Sequence, residues 1–289
     1  MIAVYEEEFG GTSCVRLDND LLSVWLTKEF GPRVIGCALK GGENMLAVLP
    51  EASIPVKGGT DYSLRGGHRL WVAPERPETT YLPDDQPPQI TEIESGLECI
   101  QALDEPTGIQ KSWRLILEED AARLTIEHQL TNRGVESIEV APWAVTMLRP
   151  GGIGLLPLPT EKADEHGLWP NRQLVFWPYT DLTSPHLEIT NRSLVIRADL
   201  SSGALKVGAP NPAGWVAYRH YGVTFVKKTG YQVAAAYRSS LKRLGRWLTW
   251  HRASIPTIWK PGNYILAGMC RKRYRTSSGN YRSLSCRAW

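Results

Sequence analysis

Two neighbouring stretches of this chain alternate apolar and polar residues with a period of two, and that pattern limits what the chain can fold into. In Leu124–Thr131, Leu124, Ile126, His128 and Leu130 face one way, and Thr125, Glu127, Gln129 and Thr131 the other. Just upstream, Trp113, Leu115 and Leu117 alternate with Arg114 and Ile116. A period of two is a half-buried strand, since successive side chains point to opposite faces of a sheet. The acidic turn Glu118–Ala122 joins the two stretches, so an antiparallel pair is predicted, ending at the turn-forming Asn132-Arg-Gly134.

Further strands are predicted at Leu22–Thr27, Arg33–Leu39, Gln89–Ile93, Glu98–Leu103, Ser137–Leu148, His186–Ile189, Leu194–Asp199, Trp215–Arg219 and Gly222–Lys227, separated by Pro, Gly and Asn clusters. No stretch before Arg238 carries a helical stripe longer than two turns. Many short, regularly spaced strands read as an all-β sandwich or barrel, and 289 residues suit one such unit.

Charge divides the chain. Residues 1–237 hold 21 Lys and Arg against 30 Asp and Glu, a net charge of −9, whereas residues 238–289 hold 12 basic residues and no acid. The five cysteines are scattered without CxxC spacing, so neither a zinc site nor a disulfide framework is expected. No cofactor or metal is implied. No apolar run approaches the length of a membrane span, and the acidic start Met1–Phe9 does not read as a signal peptide, so a cytoplasmic protein is expected. Phosphate-loop, Gly-x-Ser-x-Gly and His-Glu-x-x-His motifs are absent, which disfavours nucleotide chemistry, that route of serine hydrolysis and zinc proteolysis.

The segment with the most chemistry is Arg65-Gly-Gly-His-Arg-Leu-Trp-Val-Ala-Pro-Glu75. Its two glycines suit a tight bend or a close approach to a ligand. His68, Arg69, Trp71 and Glu75 together can hydrogen-bond hydroxyls, stack on a pyranose and move protons. A bulged strand whose His68 and Arg69 satisfy backbone carbonyls is the competing reading. Trp143 and Arg149, in Ala141–Gly152, are candidates for a sugar platform and a strand-end binding group, with Trp143 equally at home in a core. His166 lies in a loop poor in aliphatic residues, where it is a second imidazole for the site or a solvated side chain. Lys227 ends a strand, where it meets an anionic substrate or solvent.

Phe30-Gly-Pro-Arg-Val-Ile-Gly36 followed by Gly42-Glu-Asn-Met-Leu46 resembles the opening strands of galactose mutarotase-like (aldose 1-epimerase-like) proteins. Gly66-Gly-His-Arg-Leu-Trp71, Leu130-Thr-Asn132 and Ala141-Pro-Trp143 with Pro150-Gly-Gly152 resemble a bacterial branch of that superfamily, over about Leu17 to Tyr237. The resemblance implies an antiparallel β-supersandwich over 1–237 that binds a small-molecule sugar or glycan in a concave cleft. It further implies a histidine that protonates the ring oxygen, matched by His68, and a glutamate that takes the anomeric proton. That glutamate belongs near the carboxy end, where this chain has no acid, so at most an impaired isomerase is expected. A noncatalytic glycan-recognition module is the alternative.

The missing acid and the charge break share one explanation. If the codons of Leu241–Tyr264 are regrouped by one base, permitted choices yield ETLGPLVDLAPGVHTDHLETWEL, with alanine forced across Trp250-His251 and glutamate across Trp259-Lys260. This string resembles the closing strands of the superfamily. Residues 238–289 are therefore expected to be an out-of-frame, poorly ordered tail that leaves sheet edges unpaired. A genuine basic tail that binds nucleic acid or anionic lipid is the alternative. No nucleic-acid or membrane partner is expected on the leading reading.

Overall fold

The computed structural model describes residues 1–56, 59–198 and 205–229, together with the backbone of 247–252, 264–269 and 283–288. Apart from one helical turn at Pro77–Thr80, the regular elements described are strands, and they pair antiparallel. The large sheet runs, edge to edge, Ala3–Phe9, Thr12–Asp18, Leu22–Thr27, Val34–Leu39, His68–Ala73, Ala141–Leu148, Tyr264–Met269, Trp247–Arg252, Leu205–Pro210 and Val175–Phe176. A second sheet runs Ser283–Ala288, Leu124–Asn132, Ile109–Leu117, Gly96–Ile100 and Gln89–Ile93. A third runs Leu187–Ile189, Ser193–Arg197, Ile153–Pro157, Trp215–His220 and Val223–Lys228.

The alternating pair forms as expected, with Trp113 opposite His128, Leu115 opposite Ile126 and Leu117 opposite Leu124. These residues are buried and pack on Leu70 and Val72 of the large sheet, while Leu156, Leu194 and Val216 of the third sheet join the same core. We call this face of the large sheet the inner face. On the outer face the hairpin of Val48–Ile54 and Tyr62–Gly66 packs over the centre, where Tyr62 and Leu64 meet Trp71, Trp143, Val145 and Met147. His68–Ala73 and Ala141–Leu148 are consequently buried along their whole length. A strand covered on both sides shows no alternation, which is why these two read as apolar runs.

The glycine pair serves strand packing. Gly66 and Gly67 have φ of +84° and +66°, and a Cβ on either would lie 2.1 Å from Ala47 O or 2.2 Å from Val34 O. The close approach is to neighbouring backbone, and no ligand is needed to explain it.

Three strands come from the basic segment. Tyr264–Met269 pairs with Ala141–Leu148, Trp247–Arg252 with Leu205–Pro210, and Ser283–Ala288 with Leu124–Asn132. The edges expected to be bare are paired at these places. The rest of 238–289, and with it the expected disorder, lies outside the described residues.

Candidate functional site

The period of two divides the most promising motif between the two faces. His68, Leu70 and Val72 point inward, whereas Arg69, Trp71 and Ala73 point outward. His68 and Arg69 therefore do not open onto one hollow, which corrects the expectation that they act together.

On the inner face, His68 Nδ1 lies 2.8 Å from Thr146 Oγ1 and His68 Nε2 lies 2.9 Å from His128 Nε2. The rings of both histidines sit edge-on to Trp113. Lys227 is buried, donating from Nζ to Ala144 O at 2.8 Å and Thr146 Oγ1 at 3.0 Å. This corrects its expected position at a solvent-facing strand end. Burial first, then the charges of Lys227 and Arg69 and the neighbouring His128, hold His68 well below the usual imidazole range. A neutral imidazole is a poor acid, so the role implied for His68 has no support from its surroundings. His68 and Thr146 line a hollow of about 680 Å³ between the sheets, walled mainly by apolar side chains such as Leu22, Val34, Leu46, Ile126 and Phe225.

On the outer face, Trp71 Nε1 donates to Tyr62 Oη at 3.0 Å, and the ring of Trp71 meets those of Trp143 and Tyr81 edge-on. Trp71 and Trp143 are 5% and 2% exposed, so neither offers a free stacking surface and the packing role of Trp143 prevails. The Arg69 guanidinium lies over the Trp71 ring, its carbon 4.2 Å from the centroid. Beside it, Arg33 is ion-paired with Asp84 and donates to Tyr62 Oη at 2.9 Å. Burial works against the Arg33 charge, but Asp84 and Tyr62 outweigh it and raise its pKa.

On the outer face the partly exposed Glu75 joins Tyr81, close by in sequence, to Lys206, far along the chain. Tyr81 Oη donates to Glu75 Oε1, and Lys206 Nζ donates to Glu75 Oε2 at 3.4 Å. The Lys206 ammonium also lies 4.3 Å from the centre of the Trp177 ring. Leu205, Val207 and Ala209 point into the core, so alternation turns Lys206 outward. Burial lowers the Lys206 pKa against the pull of Glu75, and it raises the Tyr179 hydroxyl to about 12 with help from Glu75. Carboxylate, ammonium, phenols and a half-buried indole together can satisfy both donors and acceptors of a polyhydroxylated ligand and cover an apolar ring face.

Arg149 is half-buried and pairs with Glu43 at 2.6 Å, while His166 sits exposed in its loop with its backbone N–H on Asp164. Neither makes a hydrogen bond or ion pair to the Glu75 cluster. Sequence reasoning missed Lys206, Tyr81 and the Arg33–Asp84 pair. It placed His128 on the apolar face of its strand without assigning it a role, although a lone imidazole in an apolar row is itself a signal. Among the described residues no group of three or more His, Cys, Asp or Glu side chains is placed to hold a metal. None of the helices there is long and apolar enough to cross a membrane.

No protein-family model matches the chain, and no curated protein matches it in sequence. Solved structures do match. A galactose mutarotase-like protein from Lactobacillus casei ATCC 334 superposes with a TM-score of 0.58 at 11% identity, over 95% of this chain and 99% of the other. A protein from Synechocystis sp. PCC 6803 gives 0.54 at 12% identity, over 99% and 94%. A putative aldose 1-epimerase from Escherichia coli K12 gives 0.52 at 12% identity, over 100% and 98%. At such identities these likenesses speak for the architecture alone, and they agree with the sheet order: the chain has the galactose mutarotase-like fold.

Proposed function

We propose that this protein binds a sugar on the outer face of the large sheet and descends from enzymes that act at a sugar anomeric centre. The observation that carries this reading is the partly exposed Glu75 carboxylate, held between Tyr81 Oη and Lys206 Nζ beside the Trp177 ring. Hydroxyl pairs of a pyranose match a carboxylate and an ammonium side by side, and Trp177 and Tyr179 border the same cluster. Cytoplasmic hexoses and their derivatives are the ligands this reading expects.

Ring opening of a hemiacetal needs an acid and a base at the anomeric carbon together. His68 lies on the other face, and residues 238–289 contain no acid. Both points favour an impaired isomerase. They equally favour a noncatalytic glycan-recognition module, and mutarotation separates the two. Saturation-transfer NMR with α-glucose and α-galactose should show binding to the full chain, weakened about ten-fold or more in Glu75→Gln, as befits loss of a charge-assisted contact. Polarimetry on the same samples should show no acceleration of mutarotation. Absence of saturation transfer from every sugar tried would defeat the binding reading, and rapid mutarotation would defeat the impairment.

A further inference from the structure

The outer face buries one more positive charge than it neutralises. Among the described residues, Arg33 and Arg69 share this layer with one buried carboxylate, Asp84, whose Oδ2 is ion-paired with Arg33 and whose Oδ1 is buried without a hydrogen-bond partner. Arg69 is 1% exposed and makes no ion pair among the described residues. Its Nη1 donates to Leu64 O at 3.3 Å and approaches Met147 Sδ at 3.2 Å, while Nε and Nη2 are buried without a hydrogen-bond partner. Arg16 and Arg33 each leave only Nε without a partner and each have a carboxylate, whereas Arg69 leaves two donors and has none among the described residues. Buried donors of a charged group are normally paired, so this guanidinium lacks an acceptor. Nε and Nη2 also form one edge of the planar guanidinium, the geometry that takes both oxygens of a carboxylate at once. The Trp71 ring lies against that plane, its centroid 4.2 Å from the guanidinium carbon.

We propose that the Nε–Nη2 edge of Arg69 seats a carboxylate, and that the sugar bound on this face is a sugar acid. This rests on the sugar-binding reading above and adds the substrate class to it. Tyr81 links the two groups, since its hydroxyl touches Glu75 and lies close enough to Arg69 to feel its charge. A sugar acid with its carboxylate on Arg69 would then present hydroxyls toward Tyr81 and Glu75. The same carboxylate chemistry has a second source, an acid carried by the carboxy-terminal strands in the regrouped reading frame.

The test is thermal shift and calorimetric titration of the full chain with glucuronate, galacturonate, glucose, galactose and acetate, repeated on Arg69→Met and Arg69→Lys. Uronates should bind about ten-fold or more tighter than their neutral parents. The advantage should vanish in Arg69→Met and shrink in Arg69→Lys, which keeps the charge and loses the edge. Equal binding of acidic and neutral sugars, or a uronate preference that survives Arg69→Met, overturns the proposal and leaves the sugar-binding reading standing. If no sugar binds while acetate stabilises the wild type and leaves Arg69→Met unmoved, the carboxylate seat stands and the sugar-binding reading falls. Silence from acetate and uronates alike removes the seat. A frame-restored chain in which the uronate preference disappears assigns the carboxylate to the protein itself and refutes the sugar acid.

Discussion

Replacing a buried arginine usually destabilises a protein, and Arg69 should do the reverse. Burial, reinforced by the neighbouring Arg33, brings its pKa from 12.5 down to about 10. By linkage this is about 3 kcal/mol of folding free energy lost at neutral pH. The native pKa lies below the unfolded one, so the penalty is full at pH 7 and fades only as the pH rises past about 10. Arg69→Met removes it while filling much of the same volume with a flexible apolar side chain. The loss on the other side is one long hydrogen bond to Leu64 O and the contact with Trp71, together about 1–2 kcal/mol. The net expectation is a gain of about 1–2 kcal/mol without added ligand, or a few degrees in Tm. Urea denaturation followed by tryptophan fluorescence at pH 7 measures it, read as a shift in midpoint at constant slope. Destabilisation by more than about 1 kcal/mol would refute the reasoning, because it would mean that the guanidinium is paired in the folded chain.

Other expectations follow from the same buried charges and close contacts. His68 is held below its unfolded value, so the unfolded chain binds the extra proton as the pH falls below about 6.5 and stability drops there; His68→Gln should flatten the change in urea midpoint between pH 7.5 and 5.5. Asp84→Asn should cost about 3–5 kcal/mol by leaving Arg33 without its carboxylate, measured by the same denaturation. Burial raises the Asp84 pKa, but Arg33 outweighs it and the net shift is downward. The stabilisation from Asp84 is therefore present above its unfolded value and lost as the pH falls through the native one. Gly67→Ala should cost about 3 kcal/mol, since its Cβ would lie 2.2 Å from Val34 O, whereas Gly11→Ala, with open space and φ of +80°, should cost about 1 kcal/mol from backbone strain alone. Comparable losses at the two glycines in thermal denaturation would show that the close approach carries no weight.

The pairing of Ile109–Leu117 with Leu124–Asn132 was legible because its information is local: alternation sets the buried row, and a short acidic turn aligns the strands. The separation of His68 from Arg69 follows from the same rule, since neighbours in a strand point apart, but the sequence reading had them act together. Which of them meets the second sheet was not legible. His68–Ala73 is covered on both faces, so no alternation marks its inner side; Trp113 and His128 define one side and the Tyr62–Gly66 strand the other. The strand Leu205–Pro210 went unread because its polar position Lys206 is buried against groups far along the chain.

By itself, the sequence determined that this chain is built from antiparallel strands, and it exposed the charge break at Arg238, because strand period and composition are written along the backbone. The joining of Glu75 to Lys206 across 131 residues, the turning of His68 into the core and the burial of Arg69 without a counter-ion among the described residues were decided only in three dimensions. Each depends on which surfaces the sheets cover, and that is a property of their packing.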